Sequence, residues 1–81
     1  MTRREALDRV HKVFWDVFDD DSIRLNDSTT AKDVEDWDSL AHMNLIVAIE
    51  EAFGMRFTMG EVTGMKNVGE MLTILEKRAR R

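Results

Sequence analysis

The sequence predicts an all-α fold: a four-helix bundle with three longer helices, one short third helix, and a long loop between the first two. Three observations carry this expectation. Proline is absent and glycine occurs only four times in 81 residues, so little in the chain interrupts a helix. Apolar residues recur at helical spacing in three separate segments. Each of those segments starts at a residue suited to an N-cap: Thr2, Asp38 and Asn67.

Residues 3–18 read as the first helix. Ala6, Leu7, Val10, Val13, Phe14, Val17 and Phe18 make one apolar stripe. Thr2 and Glu5 have the spacing of a capping box. Trp15 falls off the stripe and is expected on the surface or against the loop that follows. His11, at the stripe's edge, is expected in solvent. "DDDS" at 19–22 ends the helix. Residues 19–37 show no helical period and contain "NDSTTA", rich in turn formers. A connection this long signals either function or an unrecognised element. Ile23, Leu25 and Val34 are expected to pin it across the bundle.

Asp38 suits the N-cap of a second helix running from Ser39 to Phe53, with Gly54 placed for a left-handed cap. "MRFTM" alternates and should be extended, burying Phe57. A short helix is expected near 59–64, weakened by Gly60 and Gly64. Asn67 caps the last helix, whose core stripe is Val68, Met71, Leu72 and Leu75. Residues 1–81 are expected to form a single domain.

Cysteine is absent, which excludes disulfides and thiolate metal sites. The net charge of −4 argues against a nucleic-acid partner, which needs a basic footprint. The acidity is concentrated before Ser39, where Asp33, Glu35, Asp36 and Asp38 follow Asp19, Asp20, Asp21 and Asp27. The tail "KRARR" is basic and reads as helix-end cations that complement the macrodipole and fray into solvent. The longest apolar stretch is too short to span a bilayer. The start, "MTRREALDRV", lacks the apolar core of a secretory signal. A cytoplasmic location is therefore expected.

The second helix carries more apolar surface than one stripe needs. On a wheel of roughly 100° per residue, Leu45, His42, Ile49, Phe53 and Ile46 share a core face. Leu40, Met43 and Val47 make a second strip, flanked by Asn44, Glu50 and Glu51. Two readings are open. The helix is central and touches neighbours on two sides, or the second strip is a docking surface with a polar rim. Ser39 projects between the two faces. By spacing alone, a serine after an aspartate at a helix start is part of a cap.

"DSLAHMNLIVAIEEAFGMRF" resembles the second-helix region of acyl carrier proteins, with D-S-L, an apolar helix, then E-E-x-F and an extended stretch. A first helix stands at the expected distance upstream, and "MKNVGEMLTIL" is similar to the family's last helix. The resemblance covers nearly the whole chain. It implies a four-helix bundle of acyl-carrier type with a long first loop, and a covalent 4′-phosphopantetheine arm on Ser39. It implies that Asp38 assists the modifying transferase and its magnesium ion. Leu40, Met43 and Val47 match the family's partner-contacting positions, with Glu50 and Glu51 beside them. The implied partners are a phosphopantetheinyl transferase, a loading ligase or acyltransferase, and downstream acyl-using enzymes. No catalytic residue or metal site is implied. An acyl or aminoacyl group would ride as a thioester on the thiol of the arm.

Three departures point to a specialised carrier, not a general fatty-acid one. Asp36 and Trp37 stand where the family usually has glycine and a small residue. The first half of the second helix carries Ala41, His42 and Asn44 where acidic residues are usual, and the tail is basic. These features suggest an aminoacyl, hydroxyacyl or other short acid as cargo.

Three other readings are weaker. Ser39 and His42 lie one turn apart, the spacing of a nucleophile and its base, but His42 points to the core side and no oxyanion-hole glycines accompany it. "DDDSIRLND" lacks the central glycine and closing glutamate of a calcium loop. A helical interaction module without an arm is the remaining alternative, and keeping Asp38 and Ser39 together speaks against it.

Overall fold

The computed structural model describes residues 1–80. Four helices follow one another: α1 (Arg3–Phe18), α2 (Ser39–Phe53), α3 (Met59–Gly64) and α4 (Val68–Arg78). No strand occurs among the described residues. All four helix starts are capped as the side chains dictate. Thr2 accepts from the Glu5 N–H while Glu5 accepts from Thr2, and Thr58 and Glu61 repeat this box at α3. Asp38 and Asn67 cap α2 and α4 alone. Gly54 ends α2 at φ 61°, a left-handed conformation that costs glycine little.

α1 packs against both α2 and α4. Val10 and Phe14 of α1, Leu45, Ile49 and Phe53 of α2, and Val68, Met71, Leu72 and Leu75 of α4 are fully buried. Each such side chain contributes about 1.5–3 kcal/mol through burial, so these three stripes supply most of the drive to fold. Arg9 lies over the Phe53 ring, 4.3 Å from its centroid, and also donates to the Ala52 carbonyl. The extended stretch buries Met55, while Phe57 is only half-buried. Both pack against the core, as the alternation predicts, but Phe57 is not fully buried as expected.

The loop between α1 and α2 is held by bonds to every side. Leu25 and Val34 are buried and Ile23 packs against the core. The Trp15 indole donates to the Ile23 carbonyl at 2.9 Å. His11 is half-buried, not in solvent as expected, because its Nε2 accepts from the Leu25 N–H at 2.8 Å. Residues Ala31–Asp33 form one 3-10 turn, the element that the turn-rich composition concealed. At the other side of the loop, Val68 N–H donates to the Thr29 carbonyl and Gly69 N–H to the Asp27 carbonyl, both at 2.9 Å. A Cβ on Gly69 would come within 2.8 Å of that Asp27 oxygen. The Arg3 guanidinium ties the same corner together, donating to Asp27, Glu76, Thr73 and the Gly69 carbonyl.

The basic tail does not simply fray. Arg78 pairs with Glu61 of α3, and the Arg80 N–H donates to the Phe53 carbonyl at 2.8 Å. Arg81, the last cation of the tail, lies outside the described residues.

Three outcomes follow. Gly69→Ala should destabilise by about 1–3 kcal/mol through backbone overlap, lowering the melting temperature by roughly 4–8 °C per kcal/mol. Gly60→Ala, which meets nothing within 4 Å, should stabilise by roughly 0.5–1 kcal/mol. The Thr58 N–H, the largest cause, holds the Glu61 carboxyl below its ordinary value of 4.5, with Arg78 adding to it. Thr2 does the same for Glu5. A carboxyl depressed on folding adds stability above its unfolded value and loses it as pH falls through the folded one. Acid titration of the melting temperature should therefore drop below about pH 4.5, and Glu61→Gln should flatten that drop.

Candidate functional site

The route to the site begins in the loop. Asp36 has φ 70°, a left-handed conformation uncommon for a side-chain-bearing residue but open to aspartate. Glycine would meet this demand without strain, which explains physically why a glycine suits the position. The turn delivers Trp37 inward. Its ring meets Phe14 edge-on, with centroids 5.1 Å apart, and its indole donates to His42 Nδ1 at 3.0 Å. An indole nitrogen only donates, so Nδ1 is the accepting nitrogen. His42 Nε2 therefore carries the hydrogen and donates to the Val62 carbonyl at 3.2 Å. One imidazole thus links the loop, α2 and α3.

One step beyond Trp37 the chain returns to solvent. Asp38 Oδ1 accepts from the Ala41 N–H at 2.8 Å. Ser39, the first residue of α2, is exposed. Its hydroxyl has no activating base at hand, since both ring nitrogens of His42 are already bonded. A cleft of about 530 Å³ opens beside Ser39, between α2 and α3. Trp37, Asp38, His42 and Met43 line one side, and Val62, Thr63, Met65 and Lys66 the other. The α3 wall was not foreseen, because "MGEVTGM" is too short to show a period.

The structure decides between the two readings of the second apolar strip. Leu40 is 73% exposed, Met43 47% and Val47 51%, so none of the described residues buries them. Leu45, Ile46, Ile49 and Phe53 are buried on the opposite side. Glu51 is exposed beside the strip. Glu50 is not free in the same way: it is half-buried, and its carboxylate accepts from the Phe57 N–H at 2.8 Å. It holds the stretch after α2 in place. Met59 at the start of α3 is a further exposed apolar side chain, at 73%, and nothing in the local sequence marked it.

A phosphodiester-linked arm needs an exposed hydroxyl, room beside it, and surroundings that tolerate an anion. Ser39 meets the first two, and on the third the helix start opposes the repulsion of Asp38 beside it. It is open to solvent, it borders a cleft, and it begins a 15-residue helix whose free N–H groups and positive dipole end favour negative charge.

Comparison with known proteins agrees with this geometry. Residues 8–75 match the protein family described as "Phosphopantetheine attachment site". The solution NMR structure of a holo acyl carrier protein from Geobacter metallireducens superimposes with a TM-score of 0.82 at 46% sequence identity, covering 88% of this chain and 82% of that one. A comparison with curated proteins finds no significant match. The four-helix fold is that of acyl carrier proteins, and the molecule is a phosphopantetheine-bearing carrier protein. The chain belongs to the phosphopantetheine attachment family. Carrier domains of this kind are generally non-catalytic and interact with phosphopantetheinyl transferases and acyl-using enzymes.

Removing the imidazole tests how the site is held. His42→Ala leaves the Trp37 indole and the Val62 carbonyl without their partner and should destabilise by about 1–3 kcal/mol. Hydrogen exchange should speed up at the Trp37 indole N–H and at the amides of α3 before the rest of the bundle.

Proposed function

We propose that Ser39 is the residue that carries the 4′-phosphopantetheine arm, and that residues 1–81 act as one carrier domain. The observation that supports this most is the exposed Ser39 hydroxyl at the capped start of α2, opening directly on a cleft. In the transfer, the Ser39 oxygen bonds to the β-phosphorus of coenzyme A, the bond to adenosine 3′,5′-bisphosphate breaks, and the hydroxyl proton passes to the transferase. The carrier itself contributes position. Asp38 contributes a carboxylate next to the reacting hydroxyl, placed to assist the transferase and its magnesium ion.

Once loaded, the arm presents an acyl or aminoacyl thioester to partner enzymes. Leu40, Met43 and Val47 form the docking face, with Glu51 at its rim and Glu50 behind it. A basic patch on the partner fits the acidic approach to Ser39. We read the chain as having no catalytic residue of its own, and as working in the cytoplasm, where coenzyme A and its transferases meet it. No described helix is long and apolar enough to cross a membrane. The partners are the phosphopantetheinyl transferase, a loading ligase or acyltransferase, and downstream acyl-using enzymes. Trp37, the non-acidic first half of α2 and the basic tail favour a specialised carrier with an aminoacyl, hydroxyacyl or other short cargo.

Incubation with coenzyme A, magnesium and a broad-range transferase should add the mass of one arm to the intact protein. Ser39→Ala should add none while keeping its helical circular dichroism. Failure of the unaltered chain to gain mass, or a gain by Ser39→Ala, would overturn the assignment. Asp38→Asn retains a good cap and should leave stability unchanged while slowing transfer about tenfold or more, roughly 1.4 kcal/mol of barrier. Val47→Asp should weaken kcat/KM of partner enzymes about tenfold without changing the melting temperature, because its side chain is already in solvent. General fatty-acid enzymes should charge and use the carrier poorly, and efficient use by them would defeat the specialised reading.

A further inference from the structure

Four of the twelve lysines and arginines stand around one cleft at the opposite end of α2 from Ser39: Arg56, Lys77, Arg78 and Arg80. Among the described residues no aspartate or glutamate lines it. Arg78 is taken by Glu61. The side chains of Arg56, Lys77 and Arg80 are exposed and make no ion pair or hydrogen bond among the described residues. Complementing the helix ends accounts for part of this charge, but Arg56 and Arg80 lie beyond the last turns of α2 and α4. A groove lined by Val47, Glu50 and Glu51 runs into the cleft and shares Gly54, Met55 and Arg56 with it. The exposed strip of α2 thus leads, through Val47, directly to the free cations.

We propose that the enzyme docked on the α2 strip also seats an acidic segment in this cleft, against Arg56, Lys77 and Arg80. This rests on the docking-face reading. Six residues separate Val47 from Phe53, the end of α2, which is about 9 Å of helix rise. Roughly three residues of extended chain span that distance, so one short segment reaches from the strip to the cations. The carrier then presents acid near Ser39, apolar contact along α2 and base at the far end. A partner with the matching order docks one way round, because the reversed pose sets like charges together. Other occupants fit less well. A second copy placing its acidic pole here would associate head to tail, which does not close. An anionic bilayer or a nucleic acid would meet Glu50 and Glu51 beside the cleft, on a chain of net charge −4.

The test is amide NMR of the full chain with two synthetic peptides, each a pair of leucines and a pair of glycines followed by either four glutamates or four glutamines. The glutamate peptide should shift Met43 and Val47 together with Met55, Arg56 and Lys77 to Arg80. The glutamine peptide should shift the strip alone. Arg56 and Lys77 are exposed, so charge variants keep the fold. Arg56→Glu combined with Lys77→Glu should weaken the glutamate peptide about three- to tenfold, the range of two exposed ion pairs, and leave the glutamine peptide unchanged. Salt at ~1 M should weaken the glutamate peptide likewise, whereas Arg56→Lys with Lys77→Arg should retain it. Cleft shifts indifferent to charge reversal would overturn the proposal. So would stronger cleft shifts with phosphatidylglycerol vesicles or a DNA duplex, or the same shifts on raising the protein concentration alone. Strip shifts without cleft shifts remove this inference alone. If neither peptide touches the strip, the docking-face reading falls together with it.

Discussion

The placement of Trp37 is the constraint on which the rest of the site depends. Its ring lies edge-on to Phe14 in the core, and its indole nitrogen is bonded to His42 on α2. The end of the long loop is therefore part of the packed interior, while Asp38 and Ser39 immediately after it stand in solvent. An edge-on aromatic pair contributes about 0.5–1.5 kcal/mol beyond burial, and the indole bond adds about 1 kcal/mol. Those amounts are modest, but they fall on the residue that fixes the end of the loop against the bundle, directly before the cap of α2. Without them the serine would sit at the end of a mobile loop instead of at a fixed helix entrance.

α3 is the weak element, and it faces the site. Six residues with two glycines are too few to be helical in isolation. Three attachments hold it: the Thr58–Glu61 capping box, the Arg78–Glu61 pair, and the Val62 carbonyl bonded to His42. The last is shared with the loop, so movement of Trp37 and movement of α3 are coupled through one ring. Elements that open first are those with few buried contacts, and Val62 is the only buried residue of α3. The bundle of α1, α2 and α4 is thus a rigid base, with a looser wall beside the exposed hydroxyl.

Charge divides the molecule as well. Asp33, Glu35, Asp36 and Asp38 crowd the approach to Ser39, while Arg56, Lys77 and Arg80 gather where α2 and α4 end. Cations there complement two negative helix ends, and the Arg80 backbone bond to Phe53 draws the tail onto that pole. An acidic pole of this kind would speed the association of a basic partner, an effect that salt weakens.

The sequence by itself determined whatever is settled within one turn of a residue. The caps at Thr2, Asp38 and Asn67, the stop at Gly54, the bounds of α2, and the stripe of α4 all depend on partners three or four positions away. Ser39 belongs to that set, since its place at a helix start follows from Asp38. Only the tertiary structure decided the contacts between residues far apart in the chain. His11 receives the Leu25 N–H, Glu50 turns to Phe57, Gly69 touches Asp27, and Arg3 joins the loop to α4. It also decided that none of the described residues buries Leu40, Met43 and Val47, and that Val62 and Lys66 line the same cleft as Ser39. The reason is physical: helix caps and stripes are local and periodic, whereas which surfaces meet depends on how whole helices cross, and no short stretch of sequence encodes that.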